Sequence, residues 1–164
     1  VKALYPDIPV YGSICEAHEF VWRVVGTENV LLWIGLYPNE LGKFIRRIHK
    51  FVVEVAKAQI KAANGRLAGM VIWGDVAYRN AMLFSPTYWR EFFKPCVKEI
   101  VEVCHNHGLP VIYHGCGNVQ AILEDYIETG IDALNPLEFK VGLDAVELRK
   151  QLGHRLAFCG NFSC

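Results

Sequence analysis

No block of like charge occurs in the 164 residues: seventeen Lys and Arg balance seventeen Asp and Glu. Nucleic acids and anionic membranes bind through a cationic field that this chain lacks, so neither is expected as a partner. No segment reaches the roughly 18 apolar residues of a membrane span, and the first stretch, VKALYPDIPVYG, has no apolar core of a secretory signal. The expectation is a cytoplasmic protein acting on small molecules. The six cysteines fall at irregular spacings in a chain long enough to bury one core, which argues against a disulfide framework and for free thiols. The turn GSICEAHEF after the first apolar run contains no G-x-G-x-x-G, so the simplest dinucleotide-binding turn is absent as well.

What the chain does have is a local pattern that recurs: a helical run, a glycine, a few residues, then an apolar run. It appears in KAANGRLAGMVIWGD, VCHNHGLPVIYHG, IETGIDALNP and RKQLGHRLAFCGN, so Gly65, Gly108, Gly130 and Gly153 mark helix ends. Helices are expected over about 38–64, 86–107, 118–129 and 143–152. In the second of these Trp89, Phe92, Phe93, Cys96, Ile100, Val101 and Cys104 recur at helical spacing, with Ser85 as N-cap and Pro86 in the first turn. Cys96 and Cys104 lie on that apolar face and read as core residues. His105, His107 and His154 fall near helix ends, where interaction with terminal carbonyls is expected.

Strands at about 9–14, 69–75, 109–115, 131–136 and 155–161 are short apolar runs without strict alternation, as when both faces are buried. Strand and helix in unbroken alternation mean parallel pairing through right-handed crossovers, and so an α/β fold. Polar residues close or follow the apolar runs: Glu16, Asp75, His114, Asn135 and Asn161. That clustering at strand carboxyl ends favours a partial TIM (β/α)8 barrel of about five parallel strands over an open doubly wound sheet. Five strands leave sheet edges and an apolar interior uncovered, so either more chain or a second copy, giving a homodimer, is expected to close the structure.

The segments PVYGSICEAHEFVWRVVG, WGDVAYRNAMLFSPTYWREFFKPCVKEIVEVCHNHGLPVIYHGCGN, GIDALNP and LAFCGN together resemble the uroporphyrinogen decarboxylase superfamily, over nearly the whole length. This superfamily also contains cobalamin-dependent methyltransferases. The resemblance implies a single domain over 1–164 that supplies the middle and later strands of a (β/α)8 barrel, without its N-terminal strands or its last one.

In the methyltransferases an H-x-C strand end, with a cysteine from a later strand, grips zinc. Here His114 and Cys116 match the first half, and alternate residues of a strand point the same way. Thiolates and an imidazole leave one open position on zinc, where an acceptor thiol becomes a nucleophile at neutral pH. The resemblance sets the third ligand outside this chain, with Cys164 a weaker candidate and Cys159 inside a strand. Implied partners are a small-molecule methyl acceptor and a corrinoid protein carrying the methyl group on cobalt. The catalytic pair would be Asp75 and His114, and substrate would meet Glu16, Trp22, Tyr78, Asn135 and Asn161, with His18 and Arg79 near the same mouth.

Each residue has a plainer alternative. His114 and Cys116 can finish a strand and line a pocket, Asp75 can bond a loop, Glu16 and His18 can lie exposed on a loop, and Asn-Pro at 135–136 is an ordinary turn signal. Two further functions stay open. One is metal-free decarboxylation of uroporphyrinogen or a related tetrapyrrole, against which stands Trp22 where the decarboxylases carry a tyrosine, since an indole cannot act as a phenol. The other is an inactive barrel fragment serving as a dimerising scaffold.

Overall fold

The computed structural model describes residues 7–162. Five strands, β1 (Tyr11–Cys15), β2 (Gly69–Trp73), β3 (Val111–His114), β4 (Ala133–Leu137) and β5 (Ala157–Gly160), form one sheet in chain order. Every neighbouring pair is parallel. Between them run α1 (Ala17–Val25), α2 (Thr27–Leu36), α3 (Pro38–Ala63), α4 (Pro86–Tyr88), α5 (Lys94–His105), α6 (Leu123–Thr129) and α7 (Ala145–Leu152). Sequential order with helical crossovers is the winding of a (β/α) barrel, here as an open sheet.

The expected helices are present. In α3, Leu41, Ile45, Val52, Val53, Ala56 and Ile60 are buried, at the spacing that lays one stripe against the sheet. Pro38 occupies its first turn, and Asn64, at φ 48°, closes its end in the left-handed conformation one residue before Gly65. Ser85 caps α4 as expected, its Oγ accepting from the Tyr88 amide at 3.3 Å. The helix expected over 86–107 is not uniform, because a π-helical turn, Trp89–Phe93, joins α4 to α5. Pro95 explains it: in α geometry its ring would meet the Glu91 carbonyl, and it has no N–H to offer that group. The wider turn also buries Trp89, Phe92 and Phe93 together.

The core lies between the helices and one face of the sheet, where Ile14, Met70, Ile72, Val111, Tyr113 and Leu134 are buried. Cys96 and Cys104 belong to it, and burial pushes their thiols up to about 12 and about 11, so both act as inert apolar groups. The alternating partners Tyr11, Ser13, Cys15, Val71, Trp73, Ile112 and His114 point away from the helices. Helices therefore cover one sheet face and not both, and Tyr11 and Trp73 remain 42% and 40% exposed on the other. At the free edge of β1 the Gln59 amide takes both main-chain groups of Ser13, accepting from its N–H at 3.1 Å and donating to its carbonyl at 2.8 Å. Among the described residues no helix is long and apolar enough to cross a membrane.

Candidate metal centre

The carboxyl ends of β2, β3 and β4 bring four of the candidate residues together. Trp73 of β2 pairs in register with His114 of β3, which pairs with Asn135 of β4, so all three side chains share the open face. The Trp73 ring packs on the His114 ring with centroids 4.2 Å apart, and its indole N–H donates to Ser13 Oγ at 2.7 Å. Imidazole Nδ1 lies 2.7 Å from Asn135 Oδ1. That oxygen can only accept, so Nδ1 carries the proton in the neutral ring and Nε2 keeps its lone pair.

Nε2 faces Cys116 Sγ at 3.6 Å and Asp75 Oδ1 at 4.0 Å, and the three donor groups Asp75, His114 and Cys116 lie within 4.8 Å of one another. Tetrahedral zinc, with bonds of about 2.0–2.3 Å, needs S to N separations of about 3.5 Å and N to O separations of about 3.3 Å. The sulfur and nitrogen already meet this, while the Asp75 carboxylate, at 4.0 Å from Nε2, has to move closer to join them. One thiolate, one carboxylate and one neutral imidazole balance a divalent cation and leave a fourth position open. The donor set thus fits the zinc implied by the sequence, with Asp75 able to take the position expected of a residue outside the chain. Cys164, the other suggested ligand, lies outside the described residues.

Glycines let this centre close. A Cβ on Gly74 would lie 2.0 Å from the Tyr113 hydroxyl oxygen and 2.7 Å from the Glu16 carboxyl carbon. Gly117, at φ 87°, brings the 116–118 turn so near the 77–78 backbone that a Cβ would sit 2.6 Å from the Tyr78 carbonyl. The turn is then fixed by carboxylates: Asp75 Oδ1 accepts from Cys116 N at 2.9 Å, and Glu138 Oε2 from Gly117 N at 2.6 Å. Burial, then the Asp75 and Glu138 charges, push the Cys116 thiol up to about 11. Without a cation it stays protonated, and metal uptake would displace that proton. Beside it opens a groove of ≈ 640 Å³ lined by Tyr78, Arg79, Cys116, Glu138, Lys140 and Val141 among others.

The remaining candidates lie elsewhere. Neither Glu16 nor His18 is exposed on a loop, for both are buried on the helix side of the sheet. Neither carboxylate oxygen of Glu16 has a hydrogen-bond partner among the described residues. Burial raises its carboxyl to about 8, and the Glu19 and Asp75 charges add to this; the Tyr113 hydroxyl lies nearby but donates to the Gly74 carbonyl, at 3.1 Å, rather than to Glu16. His18 lies edge-on to Phe84 and Phe93, and burial holds its ring down to about 4, hence neutral. Trp22 packs against the core with the Arg23 guanidinium 4.8 Å from its ring. The Asn161 amide is engaged by backbone groups, accepting from Ala145 N and donating to the Leu143 and Leu137 carbonyls. Of the helix-end histidines, His107 does bond a terminal carbonyl, that of Val103 at 2.8 Å, whereas His105 pairs with Asp132 at 2.9 Å.

Trp73, Glu19 and Glu138 were not among the expected site residues. Trp73 was accessible, because it shares the two-residue period of β2 with Val71 and stands two before Asp75. Glu19 and Glu138 reach the centre only through the packing of distant segments, which no local pattern records.

The uroporphyrinogen decarboxylase (URO-D) family model matches residues 1–164. Two methylcobamide:CoM methyltransferases MtaA are similar in sequence. One, from Methanosarcina barkeri, is 25% identical over 158 residues, 96% of this chain and 44% of its own length. The other, from M. barkeri strain Fusaro, is 23% identical over the same shares. A methyltransferase from Methanosarcina mazei superposes with a TM-score of 0.80 at 23% identity, over 98% of this chain and 44% of that one. The chain spans less than half the length of these relatives.

Proposed function

Since the chain belongs to the uroporphyrinogen decarboxylase family, we propose that it works in zinc-assisted, corrinoid-dependent methyl transfer, with Asp75, His114 and Cys116 as the zinc ligands it contributes. The observation that carries this reading is the convergence of an imidazole nitrogen, a thiol and a carboxylate within 4.8 Å of one another at the carboxyl ends of two adjacent strands, β2 and β3. Likeness to methyltransferases in sequence supports the same branch of the family.

Bound there, zinc would supply the Lewis acidity that turns an acceptor thiol into a nucleophile at neutral pH. The chain's own residues do the rest. Asn135 keeps the His114 proton on Nδ1, Trp73 fixes the plane of the ring, and Asp75 holds the Cys116 amide so that the thiol faces Nε2. The groove past Cys116, between Tyr78 and Glu138, is the approach for a small acceptor. The methyl donor is a methylated corrinoid, presented by a partner protein at the open sheet face.

The test is zinc per chain by elemental analysis in the wild type and in Cys116→Ser, together with demethylation of methylcobalamin by a thiol, followed through its absorbance. About one zinc per chain, lost in the variant, and thiol-dependent demethylation are expected. Zinc content unchanged by the substitution would remove Cys116 as a ligand. Release of carbon dioxide from a tetrapyrrole without metal would favour decarboxylation instead.

A further inference from the structure

We infer that Glu19, a residue of the helix layer, is a positioning residue for the metal centre, holding Asp75 and through it the Cys116 turn; the inference rests on the zinc reading above. Glu19 is buried, and burying a carboxylate is costly unless it is fully paired. Its pairing leads to one place. Oε2 accepts from Arg23 Nη2 at 3.0 Å one helical turn later in α1, and Oε1 accepts from the Asp75 backbone N–H at 3.1 Å, fifty-six residues away. Asp75 Oδ1 in turn accepts from Cys116 N at 2.9 Å and lies 4.0 Å from His114 Nε2. One line of charge-assisted hydrogen bonds therefore runs from an arginine on α1 to two of the three prospective ligands.

Its location explains why a carboxylate is used. Asp75 follows β2 immediately after Gly74, whose missing side chain leaves that segment no packing of its own, because Tyr113 and Glu16 already fill the space a Cβ would need. The backbone at Asp75 is past the last ladder residue of β2, and among the described residues its N–H has no strand partner. Glu19 supplies the missing acceptor, and its charge makes that bond about twice as strong as a neutral one. Outer residues of this kind commonly set metal affinity by about 10- to 100-fold. Arg23, whose side chain is 57% exposed, orients Glu19 from the outside.

The experiment compares wild type, Glu19→Gln, Glu19→Ala and Arg23→Ala, with thermal unfolding to confirm that each folds. Two readouts are taken: cobalt(II) affinity, with the thiolate-to-cobalt absorption band, and hydrogen exchange of the Asp75 and Cys116 amides in metal-free protein. Glu19→Ala is expected to lower cobalt affinity by about tenfold or more, to alter the band, and to speed both amides by at least about tenfold. Glu19→Gln keeps an acceptor for Asp75 N–H and should restore most of the affinity and protection, with Arg23→Ala intermediate. A folded Glu19→Ala variant with unchanged exchange at Asp75 and Cys116 overturns the inference, whether or not metal binds. If the wild type binds no cobalt, the zinc reading and the role of Glu19 toward a metal fall together, while altered exchange would still identify the turn that Glu19 holds.

Discussion

His114 Nδ1 lies 2.7 Å from Asn135 Oδ1, and this one hydrogen bond decides which nitrogen of the ring can meet a cation. With Asn135 in place the neutral ring is the Nδ1–H tautomer, and nitrogen-15 NMR at alkaline pH should show Nε2 as the unprotonated nitrogen. Asn135→Ala removes the acceptor, lets the two tautomers mix, and frees the ring to swing off Trp73. We expect a loss of zinc or cobalt affinity of about tenfold, within the range typical of ligand-orienting partners. A variant that keeps both the tautomer and the affinity would mean that Trp73 packing alone orients the ring.

Trp73 makes its own contribution, which can be separated from that of Asn135. Its indole spans Ser13 and the His114 ring, linking the open faces of β1, β2 and β3. Trp73→Phe keeps an aromatic face but loses the N–H, whereas Trp73→Ala uncovers the ring. The expectation is a small effect on metal affinity for the first and a several-fold loss for the second.

Glu16 predicts how stability changes with pH. Its carboxyl is raised from the ordinary 4.5 to about 8 in the folded chain, chiefly by burial, so the folded state holds this proton more tightly than the unfolded one. The corresponding stabilisation is present in full below pH about 4.5 and is lost as pH rises through about 8; for a fully buried group it amounts to roughly 4–5 kcal/mol. Urea unfolding from pH 5 to 9 should show the wild type losing stability relative to Glu16→Gln, which fills the same space and cannot ionise. Parallel curves for the two proteins would show that Glu16 reaches water or a partner when charged.

The period of the sheet explains what was and was not readable from the chain. Four glycines located helix ends, all with positive φ: Gly65, Gly108, Gly130 and Gly153. The H-x-C spacing set His114 and Cys116 at one strand end, where Nε2 and Sγ lie 3.6 Å apart. Glu16 was grouped with the mouth residues because it follows β1, yet the same two-residue period puts positions 12, 14 and 16 on the helix side and Cys15 on the open one. Strand alternation thus contained the answer for Glu16. It could not contain the bond from Glu19 to Asp75 or from Glu138 to Gly117, because these depend on how α1 and the segment after β4 pack, and no local spacing encodes that. The π-helical turn before Pro95 was similarly hidden, since its aromatic spacing also satisfies an ordinary helix.

Two glycines with nearly equal backbone angles separate strain from contact. Gly65 has φ 74° and open space around the position of a Cβ, whereas Gly117 has φ 87° and the Tyr78 carbonyl 2.6 Å away. Alanine at Gly65 meets only the left-handed penalty, about 1–2 kcal/mol. At Gly117 it must also push the 77–78 backbone out of the groove, breaking the bond from Asn118 N to the Tyr78 carbonyl at 2.9 Å. We therefore expect Gly117→Ala to cost clearly more stability than Gly65→Ala in urea titration. It should also weaken cobalt binding, because the displaced turn carries Cys116, while Gly65→Ala, at the opposite end of the strands, leaves binding unchanged. Equal losses of stability with intact metal binding in both variants would show that the 116–118 turn moves freely, and the close approach at Tyr78 would then have no part in holding the centre.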